Sequence, residues 1–229
     1  MNETTRQVKL YGLDIPYLVS KRKVKNARIE IKNNQVVIVL PPWMKNEEQL
    51  VKENAKWIFD KYKMIHSVLL NENQTWLFGE SWKIEYSLDF TLDSSKKIIR
   101  FDNSNKTHLK HLKQVFTSRL SKKLEIFVNH YKEKYNLKPK QVRISKPKTQ
   151  WGSCSKNDSL RFNLRMCTLP NNLISYVVYH EMCHIHHKNH GETFKNQIKK
   201  EFPRFKSLDK KLNGYWIRAE KLFVSLGLR

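Results

Sequence analysis

His180 and His184 stand four residues apart with Glu181 between them, in the pattern H-E-x-x-H. On an α-helix, residues four apart lie about 40° from one another on the same face. Both imidazoles can therefore reach one ion. Glu181 sits about 100° round from His180, close enough to hold a water bound to that ion. Zinc favours such nitrogen ligands, and a catalytic zinc takes three protein ligands and keeps one position open. The third ligand is to be sought downstream. His187 projects near the histidine face if the helix continues, but it lies about 10.5 Å along the axis from His180, too far for one ion with bonds of about 2.1 Å. Asn189 and Gly191 flank His190 and favour leaving the helix, so a chain turning back there carries His190 under the ion. Glu201, on the following helical stretch, is the second choice.

The helix that must carry these groups has a core stripe of its own. Ile174, Val178, Met182 and Ile185 fall on the side of the wheel away from the histidines. Pro170-Asn171-Asn172 is a start signal, with asparagine as the expected cap. Cys183, about 60° from His180, reads as a packing thiol. Upstream, Val142–Ile144 and Leu160–Leu164 read as strands on either side of Trp151-Gly152-Ser153-Cys154-Ser155. That run is either a wall of the cleft or a tight turn, and the turn is preferred: Gly152 would allow unusual φ/ψ and Trp151 would pack on the active helix. A long helix is expected from Lys106 to Tyr135, where Leu112, Phe116, Leu120, Leu124 and Val128 recur at helical spacing. Nearer the start, alternating segments at 7–11, 15–19, 27–32 and 35–40 predict strands, the last two joined by a hairpin turn at Asn33-Asn34. A helix follows from 46 to 69, then strands at 75–78, 82–86 and 98–101.

The 229 residues suffice for one sizeable core or two small ones. Forty-four Lys and Arg against 21 Asp and Glu give a net charge of +23. Such a balance favours polyanions, so nucleic acid is a possible partner through a basic surface. However, no zinc-finger or RNA-binding signature accompanies the charge, and the lysines are spread along the chain. Cys154, Cys167 and Cys183 show no disulfide-scaffold spacing and suit a reducing compartment. No apolar run resembles a signal peptide or reaches the length of a membrane span. A cytoplasmic protein without membrane contact is expected.

Trp151-Gly152-Ser153-Cys154-Ser155, Asn163-Leu164-Arg165, Pro170, the run Tyr176–His184, Asn189-His190 and Phe194 together resemble the YgjP-like metallopeptidases, relatives of the SprT and WLM metalloproteases. The resemblance is strong from about Gln141 to Leu212, with Gln150 standing where family members often carry a basic residue. It implies an α+β fold: a zincin-like C-terminal region with its active-site helix against a small sheet (residues 106–229), preceded by a β-rich N-terminal region with one helix (residues 1–105). It also implies zinc held by His180, His184 and His190, with Glu181 catalytic and a peptide or protein as substrate. Zinc lowers the pKa of a bound water toward about 7, and Glu181 would act as general base. In related zincins an edge strand aligns the peptide, and Leu160–Leu164 is the strand expected to do so. Proteins resembling this family have also been labelled nucleotide pyrophosphatases acting on UTP, but the chain has no Gly-rich phosphate loop and no acidic cluster for magnesium. A zinc-stabilised module binding nucleic acid is a further alternative, although a structural site needs no general base.

Overall fold

The computed structural model describes residues 3–32, 35–67 and 74–228, and their alternating and helical hydrophobic periods resolve into an α+β arrangement. Two compact units divide the chain, Met1–Leu70 and Asn71–Arg229. In the first, β1 (Glu3–Leu10), β2 (Leu13–Lys21), β3 (Arg28–Lys32) and β4 (Gln35–Leu40) form a sheet in the order β1-β2-β4-β3. Alternation along β2 and β4 turns Ile15, Tyr17 and Val19 inward with Val36, Ile38 and Leu40. Two helices, α1 (Glu48–Glu53) and α2 (Ala55–Ser67), add Val51 and Ile58 to that core. One helix was expected here. The break falls at Asn54, whose side-chain amide donates to the Leu50 carbonyl at 2.8 Å, a local bond that competes with helix continuation. β3 and β4 pair antiparallel as expected, while the turn at Asn33-Asn34 between them lies outside the described residues.

The second unit opens with β5 (Gln74–Leu77), β6 (Glu80–Tyr86), β7 (Thr91–Asp93) and β8 (Ile98–Phe101), a sheet ordered β5-β6-β8-β7. Then comes α3 (Lys106–Tyr135), with the boundaries its periodicity predicts. Asn105 caps its start by accepting from the Thr107 and His108 amides, and Asn136, at φ 52°, ends it in the left-handed region. Leu77, Trp82, Ile84, Ile99 and Phe101 share one core with Leu112, Phe116, Leu120 and Leu124 of this helix. The boundary expected between residues 105 and 106 therefore falls inside the second unit: the 74–101 sheet buries its apolar face on the helix that follows it.

A second sheet supports the candidate site. β9 (Gln141–Ser145), β10 (Gly152–Cys154) and β11 (Ser159–Asn163) take the order β10-β11-β9. The strand expected to align a substrate, Leu160–Leu164, is thus β11, whose main chain is paired on both sides; the edges are β9 and β10. A 3-10 turn, Leu164–Thr168, leads to α4 (Asn171–Cys183), followed by α5 (Glu192–Glu201) and α6 (Phe205–Ser225). Ile174, Val178 and Met182 are fully buried, so α4 lies with its apolar stripe in the core. Its cap is Pro170 and not an asparagine; Asn171 instead accepts from Lys123 of α3 at 2.8 Å. Tyr131 and Ser175 share a 2.6 Å hydroxyl hydrogen bond between α3 and α4. The start of α4 also presses on the β5–β6 turn: a Cβ on Gly79, which sits at φ +84°, would lie 2.9 Å from Pro170 Cβ.

No helix among the described residues is long and apolar enough to cross a membrane. Because Leu120 is wholly buried in α3, Leu120→Ala is predicted to lower stability by about 2–5 kcal/mol in urea denaturation. Ile126, 65% exposed on the same helix, should change stability by less than about 0.5 kcal/mol when replaced by Ala.

Candidate metal centre

Helix α4 ends at Cys183, and the chain then leaves the helical path through Asn189, whose side chain accepts from the Gly191 amide at 3.2 Å. This local turn carries His190 back to the helix. His190 Nε2 comes to 3.0 Å from His180 Nε2 and 3.1 Å from His184 Nε2, and one nitrogen from each ring lies within 4.8 Å of the others. These three histidines could hold a metal ion. Tetrahedral ligands with bonds of about 2.0–2.1 Å stand a little over 3 Å apart, so the spacing fits an ion at the centre.

The hydrogen bonding of His184 strengthens that fit. Its Nδ1 lies 2.8 Å from the His187 carbonyl. A carbonyl only accepts, so Nδ1 carries the proton and Nε2 presents a lone pair to the cluster. This is the arrangement in which an outer group sets the tautomer of a ligating imidazole. His187 therefore contributes its backbone, and its ring is no member of the cluster. Burial, together with the neighbouring imidazoles, pushes the His180 pKa down to about 3, and burial lowers that of His184 as well. Neutral rings with facing lone pairs are what a cation needs.

The floor of the cluster is Phe194, at the start of α5 and almost fully buried. Its ring stacks on His184 at 4.6 Å and meets His180 and His190 at 5.0 and 4.8 Å. Glu201, the second choice as third ligand, is held elsewhere: Lys134 Nζ and the Tyr135 hydroxyl both donate to its Oε2 at 2.6 Å.

Glu181 faces β10. A Cβ on Gly152 would lie 2.7 Å from Glu181 Cγ and 3.0 Å from its Oε1, so the strand can approach this carboxyl only as glycine. Residue 152 is needed for that space, and not for the unusual backbone angles a turn would demand, since it lies in a strand. Burial raises the Glu181 pKa to about 8, opposed by a backbone hydrogen bond from Cys154. Cys183 is buried too, with its thiol pushed up to about 12 by desolvation, as a packing role requires. All three cysteines are free.

Two side chains whose work the sequence does not announce hold the loop that delivers Gly152. Asn163 Nδ2 donates to the Pro147 and Gln150 carbonyls at 2.8 and 2.9 Å. Buried Arg165 reaches Pro147 O at 3.4 Å and lies over the rings of Trp216 and Phe223 of α6. Trp216 in turn meets Trp151 edge-on at 4.8 Å. The available signal was a polar pair, Asn163 and Arg165, inside an otherwise apolar run.

Residues 25–215 match the family described as YgjP-like, metallopeptidase domain. Among solved structures, the chain is similar to the crystal structure of the metallopeptidase zymogen of Pyrococcus abyssi abylysin, at 22% identity and a TM-score of 0.37, over 39% of this chain and 90% of that one. No curated protein matches. Phe194→Leu, which removes the ring beneath the imidazoles while keeping apolar bulk, is predicted to weaken metal binding roughly tenfold in a chelator competition. Gly152→Ala is predicted to cost about 1–3 kcal/mol through overpacking against Glu181, read in chemical denaturation.

Proposed function

Because this chain belongs to the YgjP-like metallopeptidase family, we propose that it is a zinc-dependent peptidase with His180, His184 and His190 as metal ligands and Glu181 as general base. The observation that supports this most is the convergence of three imidazole nitrogens at the end of α4, the helix whose Glu181 also sets a buried carboxyl against Gly152 of β10. Zinc bound to such a set supplies Lewis acidity, toward a water and toward the carbonyl of the bond to be cut. Glu181 then takes the proton from the attacking water and returns it to the leaving amine. Its desolvated site pushes its pKa up, while a cation at the histidines opposes that push. The resulting basicity suits proton transfer near neutral pH.

The edge strand for an extended substrate is β10. The Trp151 carbonyl and the Ser155 amide face β11, accepting from Asn163 N and donating to Ser159 O. The main-chain groups of Gly152 and Cys154 therefore face the other way, where Cys154 already meets Glu181. A peptide pairing along this edge would run past Glu181. Pairing through main-chain groups tolerates many side chains, which fits a peptide or protein substrate. A nucleotide hydrolase would need phosphate and magnesium ligands, and among the described residues the group able to hold a metal consists of histidines alone. A purely structural zinc site would have no use for a buried carboxyl beside the ion.

Glu181→Gln keeps size and removes basicity. The variant is predicted to bind zinc normally and to digest casein at least about 100-fold more slowly. Undiminished digestion would place the activity at another site. His190→Ala is predicted to lose zinc, and Glu201→Ala to keep it, by metal analysis of the purified variants; the reverse pattern would exchange their roles.

A further inference from the structure

Beside the histidine cluster lies a cavity of about 160 Å³, walled by Trp151, Tyr176, Val177 and Leu212, with Gln150 and Asp209 at its polar side. His180 and Glu181 border it. A cavity of about 150 Å³ is enough for a benzene ring, so this one has room for a single side chain. Its walls are apolar, as a side-chain stem requires; of the two carboxyls that line it, Glu181 is buried at the metal side and Asp209 lies at the exposed side. Asp209, exposed on α6, accepts a 2.6 Å hydrogen bond from the Tyr176 hydroxyl. Tyr176 is itself buried one turn before His180 and meets its ring at 5.9 Å. Hence the hydrogen bond fixes the carboxylate at the cavity relative to the site helix.

The charge of Asp209 is out of character with its surroundings. The chain carries 44 basic and 21 acidic residues, and Lys206, Lys210 and Lys211 lie within three positions of it on α6. None of them, and no arginine, pairs with it among the described residues. An acid held by a tyrosine and left without a cationic partner, at the end of an apolar sleeve, is complementary to a long side chain with a positive tip.

We propose that this cavity is a specificity pocket for a lysine or arginine side chain flanking the cleaved bond, its stem against Trp151, Val177 and Leu212 and its charge on Asp209. The proposal rests on the peptidase reading and adds a substrate class to it. A free α-amino terminus offers the same charge without a stem, and the apolar walls favour the side chain.

Two N-acetylated peptide hydroxamates, identical except for lysine or norleucine at the position entering the cavity, test this by calorimetric titration of the zinc-loaded protein. The pair differs by the ammonium group alone. The lysine probe is predicted to bind roughly tenfold more tightly, the scale of a hydrogen bond to a charged group, and Asp209→Asn to bring the two within about twofold of each other. Equal affinities in the unaltered protein would overturn the pocket assignment while leaving the peptidase reading intact, and so would a preference that survives in Asp209→Asn. A norleucine probe with a free α-amine that matches the lysine probe would move the cation to the chain terminus and overturn the side-chain assignment. Failure of every probe to bind zinc-loaded protein would overturn the peptidase reading and the pocket with it.

Discussion

Imidazole nitrogens that face one another with their lone pairs repel unless a cation stands between them. His180, His184 and His190 are held in that relation with Nε2 atoms 3.0 and 3.1 Å apart in two of the three pairs. A single shared proton can relieve one such contact, whereas a dication relieves all of them at once. The remaining architecture serves to keep this arrangement in place. The bond from His184 Nδ1 to the His187 carbonyl fixes which nitrogen faces inward. The Phe194 ring supports all three imidazoles from below.

The stiffness behind this cluster comes from burial. Helix α4 is apolar on nearly all sides, and its neighbours α3, β10, α5 and α6 close over it. Interiors packed at crystal-like density do not yield gradually, so the spacing set by one helical turn is preserved at the site. The approach of β10 is a second rigid feature. Only a glycine at 152 lets the strand meet Glu181, and the loop preceding it is clamped by Asn163 and Arg165. Arg165 illustrates how a charge is accommodated inside: its guanidinium lies over two aromatic faces, with Glu220 at 3.8 Å.

What could be read from the sequence had a short period or a local rule behind it. The 30-residue helix α3 appears at its predicted ends because capping asparagines mark both. His190 was reachable because Asn189 and Gly191 announce a departure from the helix. Long-range facts were less legible. The order β10-β11-β9 depends on a parallel pairing between β9 and β11 across intervening chain, and no local pattern says which strand ends at the edge. Gly152 looked like a turn glycine because nothing in its neighbours reveals that Glu181, 29 positions later, occupies the space of its side chain. The break at Asn54 and the extra strand β7 are short features that a single side-chain bond or pairing decides. Tyr176 did carry a signal, one turn before His180, but its partner Asp209 is 33 residues away.

The most direct test is X-ray absorption at the zinc edge of the metal-loaded protein. Nitrogen and oxygen neighbours at about 2.0–2.1 Å, multiple scattering from three imidazoles and no sulfur shell are predicted. A sulfur neighbour near about 2.3 Å, or scattering from fewer than three imidazoles, would contradict a centre built from His180, His184 and His190.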